Sequence, residues 1–477
     1  LPAGDSAAFD AALAAAVERY RPQLAHYVES LRALFPDPPP RAELWFLAYP
    51  AVLTMLSQTM MSFTDAVMVG RLGPTQLAGV GLAGTIVWGF FAFFNGLVSG
   101  VNTFVAQDFG ARRYDTIGKM TWQGIYLAAA SGAVMASMSV LSPALFEVLG
   151  PSADVQAIGS SFLRIRLLGG AFMVSWMCFS AFLRGLGDTR TPLWIALTAN
   201  AINILANYCL IFGKLGFPRL GTDGSAIGTV FATAVGTAMF AAVFLSRKNA
   251  QRYGTRSSWR PDLKALRRLV RVSIPIGMQW FLDQGSFVVF SAVIGRISTM
   301  GLAASEAALR LMSLSFMPMV GISIAATTLV GQYIGSKETP CSVRSGWSAM
   351  KLGLIYAIVV AIAFALFPER LISAINSSPE VIRIGKPILR MAALFQIFDA
   401  IAIISSGCLR GAGDTRWTMV VSMACAWLVF VPLAYIGGVV LKGGAVGAWA
   451  GATVYIIVIG ITFFLRFRSG AWQKIRI

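Results

Sequence analysis

Two aspartates stand far from either end of long apolar runs: Asp283 in the segment FLDQG and Asp399 in FQIFDA. Asp283 lies 12 residues after Arg271 and 12 before Gly295, which on a helix is ~18 Å from either end. Asp399 lies 13 residues after Lys386 and 11 before Arg410. A charge at the centre of a bilayer costs roughly 2.5–3.5 kcal/mol on insertion scales, so an acid kept there is a functional candidate. Helical spacing sets Gln279, Asp283 and Ser286 on one face, and Gln396, Asp399 and Ser406 broadly on another. Two carboxylates in low-dielectric surroundings repel unless they hold a proton or share a cation. The chemistry these residues suit is therefore a coupling-ion site for Na⁺ or H⁺, with no other cofactor; a structural acid paired to a nearby Arg is the alternative. A third acid, Asp65 in MSFTDAVMVG, sits nearer the end of its run, where depth alone argues less for it.

The elements that must position these acids are membrane helices. The chain has 477 residues, 56% hydrophobic and only 13% charged, against about 25% charge in an ordinary soluble protein. Apolar stretches of about 20 residues recur, each long enough to cross a hydrocarbon core. They predict an all-α polytopic protein with twelve spans, at 44–69, 79–106, 121–146, 158–183, 192–213, 224–246, 272–295, 302–331, 347–368, 387–409, 418–440 and 444–466. The net charge of +18 comes from basic residues in the short breaks between runs. That is a membrane-topology pattern and not a nucleic-acid surface; most of the Lys and Arg fall on one side, which places both termini in the cytoplasm, and the expected location is a bacterial-type inner membrane. The five cysteines show no paired spacing and read as packing residues.

The chain is written twice. LRGLGDTR (183–190) returns as LRGAGDTR (409–416), and GLVSGVNTFVAQDFG (96–110) aligns with GISIAATTLVGQYIG (321–335). A shift of 225 residues also brings Pro50 onto Pro275, and Gly70-Arg71 onto Gly295-Arg296. Two six-span bundles are expected, related by an axis along the membrane normal. The repeated octapeptide would be the cytoplasmic turn after spans 4 and 10. The predicted organisation is a cytoplasmic amphipathic segment (1–42), an N-lobe (43–246), a basic linker (247–271), a C-lobe (272–466) and a cytoplasmic tail (467–477). The N-terminus lacks the pattern of a signal peptide, so no leader is expected. Gln58 is the repeat counterpart of Asp283, so the acids are not distributed symmetrically.

No enzyme constellation competes. There is no P-loop, no G-x-S-x-G and no H-E-x-x-H, and the single histidine, His26, precedes the first span. Aromatic and Met residues such as Phe90, Phe94, Met312 and Met317 would serve an adaptable cavity for bulky cations, or ordinary packing. Glu306 and Arg310, four apart on span 8, are spaced to pair with each other.

LSQTMMSFTDAVMVGRLG, the two LRG-x-GDTR turns, FLDQG, ALRLMSLSFMPMVGISIAATTLVGQ and FQIFDA together resemble the multidrug and toxic compound extrusion (MATE) transporters, over about residues 43–466. The resemblance is to the NorM-like branch. It implies twelve helices in two lobes that export organic cations or drugs in exchange for inward Na⁺ or H⁺ by alternating access. The expected partners are those small molecules and membrane lipids, and the expected state is a monomer. It also implies that Asp65, Asp283 and Asp399 match the family's coupling acids. Where the branch has a tyrosine four residues before the span 10 acid, this chain has Phe395, so one oxygen is missing. Where a second branch carries an Asn and an Asp on span 5, this chain has Asn203 and Asn207. Gln58, Gln279, Phe395, Gln396, Asn203 and Asn207 are the expected cavity residues. A lipid-linked sugar flippase of the same superfamily is the rival reading.

Overall fold

The computed structural model describes residues 42–475, and the expected N-terminal amphipathic segment lies outside them. The described residues are almost entirely helical. The first lobe holds span 1 (Ala42–Gly70), span 2 (Pro74–Gly110), span 3 (Tyr114–Met138, carried on by Ser142–Leu149), span 4 (Ala153–Leu168 and Gly170–Gly185), span 5 (Arg190–Phe212) and span 6 (Gly221–Phe244). The second holds span 7 (Leu263–Ile297), span 8 (Thr299–Gly335), span 9 (Thr339–Leu366), span 10 (Pro379–Ala412), span 11 (Thr415–Ala424, continuing to Val440) and span 12 (Gly444–Arg468). Ten are long and apolar enough to cross a bilayer, and the two pieces of span 4, bent by 47°, make an eleventh. Span 7 falls short on hydropathy because Gln279, Asp283 and Gln284 interrupt its apolar part, yet it is 35 residues long and packs along span 2.

Span 7 begins inside the stretch read from sequence as linker. Asp262 accepts from the backbone N–H of Lys264 at 2.8 Å and Ala265 at 3.0 Å, which caps the helix start. Its other oxygen pairs with Lys119 at 2.5 Å. Before it, Arg247–Tyr253 forms a short helix ended by Gly254 in the left-handed region.

The duplication extends to backbone angles. Arg112 and Lys337, 225 positions apart, both take a positive φ, 58° and 63°. Gly187 and Gly413 close the two octapeptide turns at φ 86° and 90°, a conformation that a side chain resists.

The two lobes exchange helix starts at the end of the bundle that carries the linker. Leu44, Leu47 and Ala48 of span 1 are buried with Ile322, Leu329 and Val330 of span 8. Ala265, Leu269 and Val272 of span 7 are buried in the first lobe's core. Gly96 lies against the Gly277 backbone, and Gly321 against Val52, so both crossings depend on the absence of a side chain. Toward the other end the lobes part. Span 2 is buried almost without a break from Phe94 to Asp108, whereas Gly81, Thr85 and Trp88 are exposed and Gly89 faces open space. On span 8, Glu306, Arg310 and Leu314 share the helical stripe of Gly321 and are exposed. The result is a cleft that opens away from the linker.

Candidate functional site

Polar residues gather at one place in each lobe. In the first lobe, Asp65 is half-buried near the end of span 1 and is held by two neighbouring helices. Asn207 of span 5 donates to its Oδ1 at 2.6 Å, and Thr229 of span 6 donates to its Oδ2 at 3.3 Å. Asn203 donates to Thr229 at 3.2 Å and accepts from Asn207 at 3.4 Å, which closes the network. Helical periodicity explains the grouping: Asn203 and Asn207 are one turn apart on span 5, facing span 6. Arg166 of span 4 is close enough to act electrostatically on Asp65, and its Nη1 is buried without a partner. Asp65 is thus not a bare interfacial acid.

In the second lobe, Asp283 is half-buried on span 7 with Gln279 one turn before it. Gln279 gives its amide N–H to Ser422 of span 11 at 2.8 Å. That leaves Gln279 Oε1 and Asp283 Oδ1 as two buried oxygens without a hydrogen-bond donor among the described residues. Unmet acceptors in a low-dielectric interior are costly, and a proton or a cation relieves the cost. Arg410, in the second octapeptide, acts electrostatically on Asp283 without forming an ion pair with it. Asp399 is half-buried on span 10 and makes no hydrogen bond among the described residues. No hydrogen bond joins Asp283 to Asp399; what they share is Tyr455 of span 12, on which both act electrostatically. Its ring is stacked on Phe430 at 4.9 Å. Beside it span 11 widens into a π-helical stretch, Cys425–Phe430, a distortion common at functional sites.

The expected cavity residues need correction. Asn203, Asn207, Gln279, Phe395 and Gln396 are all buried between helices and do not face open space. Gln396 donates to Ser315 of span 8 at 3.3 Å, and the Phe395 ring lies parallel to Trp449 at 6.4 Å. Each helical face proposed from spacing is covered by a neighbour that spacing does not reveal. Gln58 is half-buried on span 1 and joins neither polar group. Glu306 and Arg310 are exposed to the cleft and do not form the ion pair their spacing allows. Tyr455, Arg166, Thr229 and Ser422 went unread in the sequence. A lone polar residue in an apolar run carries no sign of which acid it will meet; only Arg166, a charge inside a span, gave a usable signal.

Comparison with known proteins agrees with this geometry. A family model described as MatE matches residues 50–209 and 275–436, one copy on each half. The chain is 31% identical over 439 residues to a probable multidrug resistance protein NorM of Thermotoga maritima, covering 91% of this chain and 93% of that protein. It is 31% identical over 430 residues to the protein so described in Bradyrhizobium diazoefficiens, covering 88% and 92%. Among solved structures, an outward-facing multidrug resistance MATE family transporter of the MOP superfamily superposes with a TM-score of 0.84 at 21% identity, over 91% of this chain and 97% of that one. A MATE structure in a bent conformation gives 0.82 at 22% identity, over 91% and 96%.

Proposed function

Because this chain belongs to the MatE family of membrane transporters, we propose that it is a secondary antiporter exporting organic cations or drugs in exchange for inward Na⁺ or H⁺. The observation that carries the reading is the pair of buried, donor-less oxygens, Asp283 Oδ1 and Gln279 Oε1, one turn apart on span 7. Hard cations bind through oxygen ligands, and a proton on Asp283 would equally turn one acceptor into a donor. Tyr455, near both acids, offers a phenol oxygen from span 12 in place of the one Phe395 lacks.

In this reading the linker end is the cytoplasmic face, which the concentration of basic residues there supports. The cleft then opens to the outside. An ion entering it is captured at Asp283 and Asp399, while Asp65 forms a second acidic position in the first lobe. Ion capture displaces a cationic substrate, and the lobes rock to release the ion inside. A membrane potential of 100 mV supplies ~2.3 kcal/mol per charge moved.

The test is ethidium efflux from proteoliposomes under separately imposed Na⁺ and pH gradients. Efflux driven by one gradient, and reduced at least tenfold in both Asp283→Asn and Asp399→Asn, is the expected result and names the ion. Efflux in neither gradient would sink the antiport reading and move attention to lipid-linked substrates.

A further inference from the structure

Spans 2 and 8 present the same two side chains at the linker end. Thr103 and Gln107 are four apart on span 2, and Thr328 and Gln332 are their repeat counterparts on span 8. Each pair reaches across the lobe boundary to one copy of the octapeptide. Thr103 Oγ1 donates to the Arg410 carbonyl at 3.1 Å, and Gln107 Nε2 to the Gly411 carbonyl at 3.0 Å. Reciprocally, Thr328 Oγ1 donates to the Arg184 carbonyl at 3.1 Å, and Gln332 Nε2 to the Gly185 carbonyl at 2.9 Å. All four acceptors sit in the last turn of span 4 or span 10, where helix carbonyls run out of intrahelical donors. The helix ends also touch backbone to backbone: Gly110 lies against Gln332 and Gly335 against Gln107, with no room for a Cβ at either. Tyr333 donating to Glu43 at 2.7 Å adds one bond that is not duplicated.

We propose that Thr103, Gln107, Thr328 and Gln332 are positioning residues forming a two-fold latch that holds the lobes together at the linker end, and that releasing it sets the barrier to opening there. The octapeptide is written twice because each lobe must present the same carbonyls to the other. Neutral hydrogen bonds of this kind have a modest net strength, so the latch is reversible. The inference rests on the rocking-lobe reading above, and its test reads conformation without transport.

Spin labels at Lys248→Cys and Arg344→Cys, both exposed at the linker end in opposite lobes, report the separation by pulsed EPR in lipid nanodiscs. Cys341→Ser removes the one native cysteine that is not buried. Gln107→Leu and Gln332→Leu should each raise the ratio of long to short distances by about 2- to 10-fold, by similar amounts, and the double variant by roughly their product. Thr103→Val with Thr328→Val should do the same with almost no change in volume. Thr327→Val removes a hydroxyl donated to the Ser323 and Gly407 carbonyls inside one lobe, and should leave the distances unchanged. A folded double Gln variant with wild-type distances would overturn the latch, as would opening in one Gln variant only, or equal opening in Thr327→Val. A latch that responds as stated in a protein that exports no cation would count against the antiport reading alone.

Discussion

Asp65 illustrates how a membrane protein keeps a carboxylate inside: neighbours on two other helices donate to it. The 2.6 Å bond from Asn207 is the shortest of these, and hydrogen bonds to a charged group are worth about 1.5–3 kcal/mol. Asn207→Leu keeps the branching at Cγ and removes the donor, so Asp65 Oδ1 loses its 2.6 Å bond while Thr229 still donates to Oδ2. We expect the variant to unfold several degrees below wild type in detergent, with Asn203→Leu milder because the bonds of Asn203, at 3.2 and 3.4 Å, run to Thr229 and Asn207 and are longer than that of Asn207 to Asp65. Equal midpoints for wild type and Asn207→Leu would mean the bond contributes nothing. The pattern FTDAVMVG marked Asp65 as a candidate, but nothing in it named Asn207, 142 positions away. Spacing reports neighbours on the same helix and is silent about those on the next.

At the scale of the element, span 7 is an amphipathic start grafted onto a membrane helix, and its N-terminus is fixed by Asp262. The Lys119 ammonium bonded to that carboxylate, with the Ala265 and Lys264 N–H groups, holds its pKa down to about 2. A depressed carboxylate contributes fully above its unfolded value near 3.8, and the contribution is lost as pH falls toward 2. Hydrogen-exchange protection of the Lys264 and Ala265 amides should therefore hold from neutral pH to about 4 and fall away below it. Lys119→Met should move that loss to higher pH, and an unchanged profile would show that Lys119 does not stabilise the cap. The sequence revealed the helix and its basic start, but the linker reading ended at 271, eight residues after the helix begins. Charge density resembles a loop when the residues that receive it, here on span 3, are far off in the chain.

At the scale of the whole molecule, the lobes cross where each lends its first helix to the other and where spans 2 and 8 meet, and the cleft is what remains beyond that crossing. In the proposed orientation the crossing occupies the cytoplasmic face, where the basic residues concentrate. Lys248→Cys in a Cys341→Ser background, probed in intact cells with a membrane-impermeant maleimide, should stay unlabelled until the cells are opened. Prompt labelling from outside would invert the proposed orientation and the direction of transport.

The class, the twelve helices, the duplication and the candidate acids were legible in the order of the residues alone. Each of these is written locally, as hydropathy, as a repeat, or as a charge where charge is expensive. It took the packed helices to reveal that Asn203 and Asn207 serve Asp65 and do not line an open wall, that Tyr455 stands near both C-lobe acids, and that the repeated turn offers its carbonyls to the opposite lobe. Those are relations between helices. They depend on which faces pack together, and a one-dimensional pattern fixes the face of each helix without fixing its partner.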